Sequence, residues 1–168
     1  MLHFAGKDRI LLMLQLLAGF FASAGFGILF NIPKKIILPC GFAGMAGWGI
    51  YYWMTERGGD LLLASFVASF FITLLSHLFA RRFKEPVIGF IVCGIIPLVP
   101  GGFAYDAMRN FVSNQYDFAI ERSAQVMLIA GAIAMGIVFS EVLFRMYQYP
   151  FRKRGGFFRT GGKPVAKK

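Results

Sequence analysis

Charge is scarce in this chain: only 15% of its 168 residues are Asp, Glu, Lys or Arg, while 57% are hydrophobic and 20 are Phe. A soluble domain of this size leaves much of its surface in water and cannot be so apolar. Cysteine is scarcer still. Cys40 and Cys93 both lie inside apolar runs, so neither a disulfide framework nor a zinc site can be argued, and the compartment is left open. There is no His/Cys/Asp cluster with metal spacing, no nucleophile beside a base and no phosphate loop, so no enzyme, resident metal or cofactor is expected. Without an ATP-binding motif, any active transport must use a gradient or another subunit. Long polar stretches are missing as well. The longest internal one, Ser113–Arg122, has ten residues, so a single membrane domain without a soluble domain or internal repeat is expected.

What is present is a series of apolar runs. About 20 apolar residues cross the hydrocarbon core as a helix, and four segments meet that length: Ile10–Phe30, Ile36–Met54, Leu61–Ala80 and Ser123–Phe144. A fifth run, Val87–Val99, is interrupted by Pro100-Gly101-Gly102 and continues in helix-compatible sequence over Phe103–Val112. Two half-helices would together cross; the alternative is a re-entrant loop. The expected fold is an all-α integral membrane protein of five transmembrane helices, the fourth broken at the Pro-Gly-Gly motif. An N-terminal segment, 1–9, precedes a membrane domain, 10–146. Tyr147-Gln148-Tyr149-Pro150 reads as a helix exit, opening a basic, flexible tail over 147–168. Ala22-Ser23-Ala24 has the form of a signal-peptide cleavage site, but the apolar run continues through Gly25–Phe30, so a retained span is expected.

The net charge is +10. With five crossings, Lys34, Lys35, Arg81, Arg82, Lys84 and the eight Lys and Arg from Arg145 to Lys168 share one side; Lys7, Arg9, Arg57, Arg109 and Arg122 share the other. The positive-inside rule makes the richer side cytoplasmic, which puts the C terminus inside and the N terminus outside. A re-entrant fourth segment would leave the basic tail outside. Directly after a span, that tail reads as a topology signal attracted to anionic lipid rather than to nucleic acid.

Small residues recur at four-residue spacing: Gly19, Ser23 and Gly27; Cys40 and Gly44, or Ala43 and Gly47; Ala132, Gly136 and Ser140. Such spacing lets helix backbones approach closely and indicates a compact bundle. Gln15 reads as interhelical glue. In the third span Ser65, Ser69, Thr73 and Ser76 fall on one helix face. They either bond to neighbouring helices and to their own backbone or form a wall of a polar pathway.

The fourth span carries the strongest signal. Pro97 and Pro100 remove backbone donors, freeing the carbonyls of Cys93 and Ile96, and Gly101 and Gly102 permit conformations closed to other residues. A break at bilayer depth is tolerated where protein or a watery cavity covers it, and half-helix N-termini attract anionic groups. The amides just after Gly101 and Gly102 are therefore candidate carboxylate ligands, with Tyr105 and Asp106 one turn on. The plainer alternative is a kink. Ionisable residues within spans are functional candidates by default: Asp106, His77 and Glu141 are the proton-coupling candidates, although for His77 and Glu141 an interfacial side chain reaching headgroup water is the simpler reading.

Two stretches, GFGILFNIP at Gly25–Pro33 and IPLVPGGFAYDAM at Ile96–Met108, carry a resemblance to the threonine/serine exporter family. It extends over roughly Gly25 to Arg154 and is most specific at Ile96, Pro97, Pro100, Gly101 and Tyr105. The chain resembles the small component of the split, two-chain type, equivalent to the C-terminal half of single-chain exporters; related two-chain systems are linked to export of dicarboxylates such as succinate. The resemblance implies a larger five-helix membrane subunit as partner, a small carboxylate-bearing substrate and a bacterial inner membrane location, and leaves higher oligomers open. A function of another class, a non-transporting membrane assembly or scaffold protein with a lipid-binding tail, stands as the alternative.

Overall fold

The computed structural model describes residues 2–152, with side chains over 10–147. Six α-helices and one 3-10 turn account for it, with no strand among the described residues. In order they are α1 (Leu2–Leu29), α2 (Lys34–Glu56), α3 (Leu61–Phe83), α4 (Val87–Ile95), the 3-10 turn Ile96–Leu98, α5 (Gly101–Val112) and α6 (Tyr116–Arg152). Local chemistry sets the boundaries. Asp60 caps α3 by accepting from the Leu62 amide at 3.4 Å, and Arg81 and Arg82 occupy its last turn, where cations favour the helix dipole. Lys84 then ends it in the left-handed region at φ 56°. Gly58, at φ +76°, turns the chain between α2 and α3, a conformation glycine adopts without steric cost.

Three helices are long and apolar enough to cross a membrane: Ile10–Leu29 in α1, Leu61–Phe83 in α3 and Tyr116–Tyr147 in α6. The segments Val87–Leu98 and Gly101–Val112 pass the same test only together, as a pair bent by 54°. The expected second span, Ile36–Met54, lies within a 23-residue helix that is not among them. Its glycines and its Trp48, Tyr51, Tyr52 and Trp53 lower its apolarity. α2 packs against α1, α3 and α4 through a face that carries Ile36, Cys40, Ala43, Gly44 and Gly47.

Two boundaries differ from expectation. Most of the polar stretch Ser113–Arg122 is helical, because α6 starts at Tyr116 with Asp117 in its first turn, where a carboxylate stabilises the dipole. α6 also does not end at Tyr147–Pro150 but runs to Arg152; a proline near a helix end removes only one ladder bond. The rest of the expected tail, 153–168, lies outside the described residues.

The small-residue spacings lie at helix crossings, as expected. Gly19, Ser23 and Gly27 are buried along α1, and a Cβ on Gly44 would collide with the Ser23 side chain. A Cβ on Gly136 would likewise meet Ser69 and the Phe66 carbonyl, so α6 lies backbone-close to α3. Gln15, by contrast, is exposed and joins no helices among the described residues.

Side-chain pairs give the helix directions. Lys35 Nζ and Glu85 Oε1, 2.6 Å apart, hold the α1–α2 and α3–α4 connections at one end of the bundle. Gly136 sits at Ser69, and further along both helices His77 meets Glu141 and Phe144, and Arg81 meets Phe144. α6 therefore runs in the same direction as α3 and carries Arg145 towards the end that holds Lys35, Arg81 and Glu85.

Candidate functional site

The interruption between α4 and α5 is built by proline. Pro97 sits in the 3-10 turn, where the Val99 amide donates to the Ile96 carbonyl at 3.3 Å. Pro100, at φ −75° and ψ 52°, then forms an inverse γ-turn in which the Gly101 amide donates to the Val99 carbonyl at 2.7 Å. The next bond back is Ala104 N to Pro100 O, 3.1 Å. The amides of Gly102 and Phe103 are left without acceptors, and no side chain caps α5. The break thus falls at Val99-Pro100. Gly101 and Gly102 belong to the first turn of α5, and neither has a left-handed φ, so the expected use of glycine for unusual conformations is corrected. What they contribute is empty space, since nothing lies within 4 Å of where a Cβ would stand on either.

That space opens into a cavity of about 320 Å³. Pro97, Pro100, Gly101, Gly102 and Asp106 line it from the break and α5, Trp48 and Tyr51 from α2, and Ile129 from α6. Phe103, also on the wall, has the Arg122 guanidinium 5.7 Å from its ring centre; Arg122 is held by Gln125 at 3.0 Å. The Trp48 indole N–H is buried without an acceptor, and its ring lies against Tyr51, 5.3 Å between centroids. The cavity therefore combines free donors at the positive end of a helix with a carboxylate one turn on. Unpaired backbone amides and an unpaired indole N–H are costly where water is excluded, and a ligand with acceptor oxygens would satisfy them.

The other expected site residues lie elsewhere. Tyr105 is 68% exposed and is not part of the cavity wall. Ser65, Ser69, Thr73 and Ser76 are fully buried, and each hydroxyl donates to a carbonyl of its own helix: Leu61 at 2.8 Å, Phe66 at 2.9 Å, Ser69 at 2.9 Å and Ile72 at 2.7 Å. None of the four lines the cavity at the break, and their bonds are those of the close-packed, self-bonded role.

His77 and Glu141, unlike Asp106, are far from the break and close to each other. His77 Nε2 is 3.9 Å from Glu141 Oε2, too long for a hydrogen bond, and has no partner of its own. Its ring stacks on Phe144 at 4.0 Å, and Arg145 donates to Glu141 at 2.9 and 3.1 Å. His77 is only 6% exposed, so it does not reach for headgroup water.

Trp48, Tyr51 and Arg122 were not singled out by the sequence. Trp48 and Tyr51 stand three apart, on one face of α2, and two aromatic side chains with polar handles in a span are the signal that could have found them. Arg122 counted only as an external charge.

Long apolar helices packed through small residues around an interrupted helix define the class of multi-pass membrane proteins. Within that class the chain belongs to the threonine/serine exporter (ThrE) family, whose model matches residues 15–143. An uncharacterized protein of Haemophilus influenzae is 26% identical over 141 residues, a match covering 79% of this chain and 48% of that protein. The chain thus spans about half the length of this curated relative. No solved structure matches.

Proposed function

We propose that this chain is one component of a secondary, gradient-driven exporter of small carboxylate-bearing metabolites, working in a bacterial inner membrane with a second, larger five-helix membrane subunit. The observation that carries the reading is the uncapped start of α5, with the Gly102 and Phe103 amides free at a cavity that also holds Asp106. A substrate carboxylate at those amides would meet partial positive charge. Asp106, on the same cavity wall, would attract an ammonium group and repel a second carboxylate unless protonated. A zwitterionic amino acid, as in threonine/serine export, therefore fits better than a dicarboxylate such as succinate.

The half-length match to the H. influenzae protein supports a two-part machine. The helix directions support five crossings. α6 begins at the end of the bundle opposite Lys35 and Glu85 and returns to it, so α4, the 3-10 turn and α5 make one net passage. At 1.5 Å per residue, α4 with its turn rises about 18 Å, and α5, tilted by the bend, adds about 10 Å. The sum is close to a hydrocarbon core of about 30 Å. In this arrangement the basic end is cytoplasmic and the N terminus external.

The test is purification from native membranes followed by reconstitution. A stoichiometric multi-pass partner and threonine or serine export by the pair in proteoliposomes are expected. A chain that purifies alone, and a partner that transports equally well without it, would replace this reading with a scaffold role.

A further inference from the structure

A second hollow lies far from the break, where α1 and α2 meet at the basic end of the bundle. It is a groove of about 560 Å³ walled by Phe20, Phe21, Ala24 and Ile28 of α1 and by Ile37 and Leu38 of α2, with Asn31 and Lys34 at its mouth. We propose that this groove is a binding site for one anionic phospholipid, an acyl chain lying along the apolar wall and the headgroup phosphate at Lys34 and Asn31. The inference does not depend on the export reading.

Charge complementarity argues for the headgroup. Lys35, next in sequence, is ion-paired to Glu85, whereas Lys34 is exposed and has no acidic partner among the described residues. The start of α2 has no side-chain cap, so its first amides add partial positive charge at the same mouth. Asn31, in the left-handed region at φ 53°, closes the turn with its amide side chain exposed. Acceptor oxygens carrying negative charge match this set.

The groove's length fits a single acyl chain. From Phe20 to Asn31 the α1 wall rises about 16 Å at 1.5 Å per residue, which is one leaflet of a core about 30 Å thick. The groove begins at the charged end of the bundle and stops at Phe20, near the middle of the apolar stretch Ile10–Leu29. An acyl chain of one leaflet therefore fits the groove from end to end.

The test is native mass spectrometry of the full-length chain in detergent, titrated with phosphatidylglycerol or phosphatidylcholine of the same acyl chains, with thermal melting recorded for each variant. One site favouring phosphatidylglycerol is expected. Lys34→Gln should lower that preference about fivefold, the effect of one surface lysine near an anionic headgroup. Ala24→Trp, which fills the groove, should weaken both lipids, and Arg57→Gln at the opposite end should change neither. Unaltered lipid binding in both Lys34→Gln and Ala24→Trp, with melting as in the parent, would overturn the proposal. So would a cysteine at Leu38 that crosslinks to a co-purified membrane subunit, because a protein would then fill the groove.

Discussion

At the cavity, Asp106 and the free amides of Gly102 and Phe103 sit within two turns of one another on the same helix and carry opposite polarity. A ligand that satisfies both must itself carry both signs. Asp106→Asn removes the charge and keeps the shape, so threonine binding should weaken by about tenfold, the scale of one charge-assisted hydrogen bond. Succinate should bind no worse, or better. Calorimetric titration of the purified complex with the two ligands checks this; equal loss for both would detach Asp106 from an ammonium group. Much of this site was legible in the sequence at the level of residue type, because two prolines, two glycines and an acid within ten residues of an apolar run have few innocent explanations. Trp48 and Tyr51 were not legible. Their membership depends on which face of α2 turns to the break, and that is decided by packing of α1, α3 and α4 around α2 rather than by anything local. His77 and Glu141 were each visible as charges in spans, but their 3.9 Å approach is a tertiary fact. We propose each of them, with Asp106, as a candidate for the coupling proton.

Length and apolarity made the long helices legible in the sequence. α1 and α6 expose much of their apolar surface, and α3, though more buried, was as readable as they were, whereas α2 has the length of a span but is diluted by Gly, Trp and Tyr. The stripe on α3 is the opposite case: its register was readable and its role was not. Its hydroxyls bond to their own helix carbonyls, which frees the face for close contact with α6. Ser69→Leu should therefore destabilise the chain, by about 1–3 kcal/mol as an overpacked core substitution, since Ser69 lies against Gly136. A thermal melt in detergent with a parental midpoint would contradict this and return the stripe to the pathway. The break behaves differently. Replacing Pro97 and Pro100 together by Ala restores two backbone donors and better helix formers. The melting temperature should hold or rise while transport falls, the opposition expected when a helix is kept open for function. Unchanged transport in that double variant would make the break a structural kink.

For the molecule as a whole, the five-crossing arrangement we propose is supported by charge counting and by the helix directions. In a background lacking Cys40 and Cys93, a cysteine at Gly59, in the α2–α3 turn, should react with a membrane-impermeant thiol reagent in intact cells. One at Gly162 should not; labelling at Gly162 would reverse the orientation. The central claim is that the cavity at the break is where the exported molecule binds, and Gly101→Leu tests it most directly. Gly101 lines the cavity, has an ordinary helical conformation, and has nothing within 4 Å of its Cβ position, so leucine there occupies the cavity without straining the fold. Measured as threonine efflux from proteoliposomes holding the chain and its co-purified subunit, Gly101→Leu should lose most transport at an unchanged melting temperature; efflux at the parental rate would show that the substrate passes elsewhere.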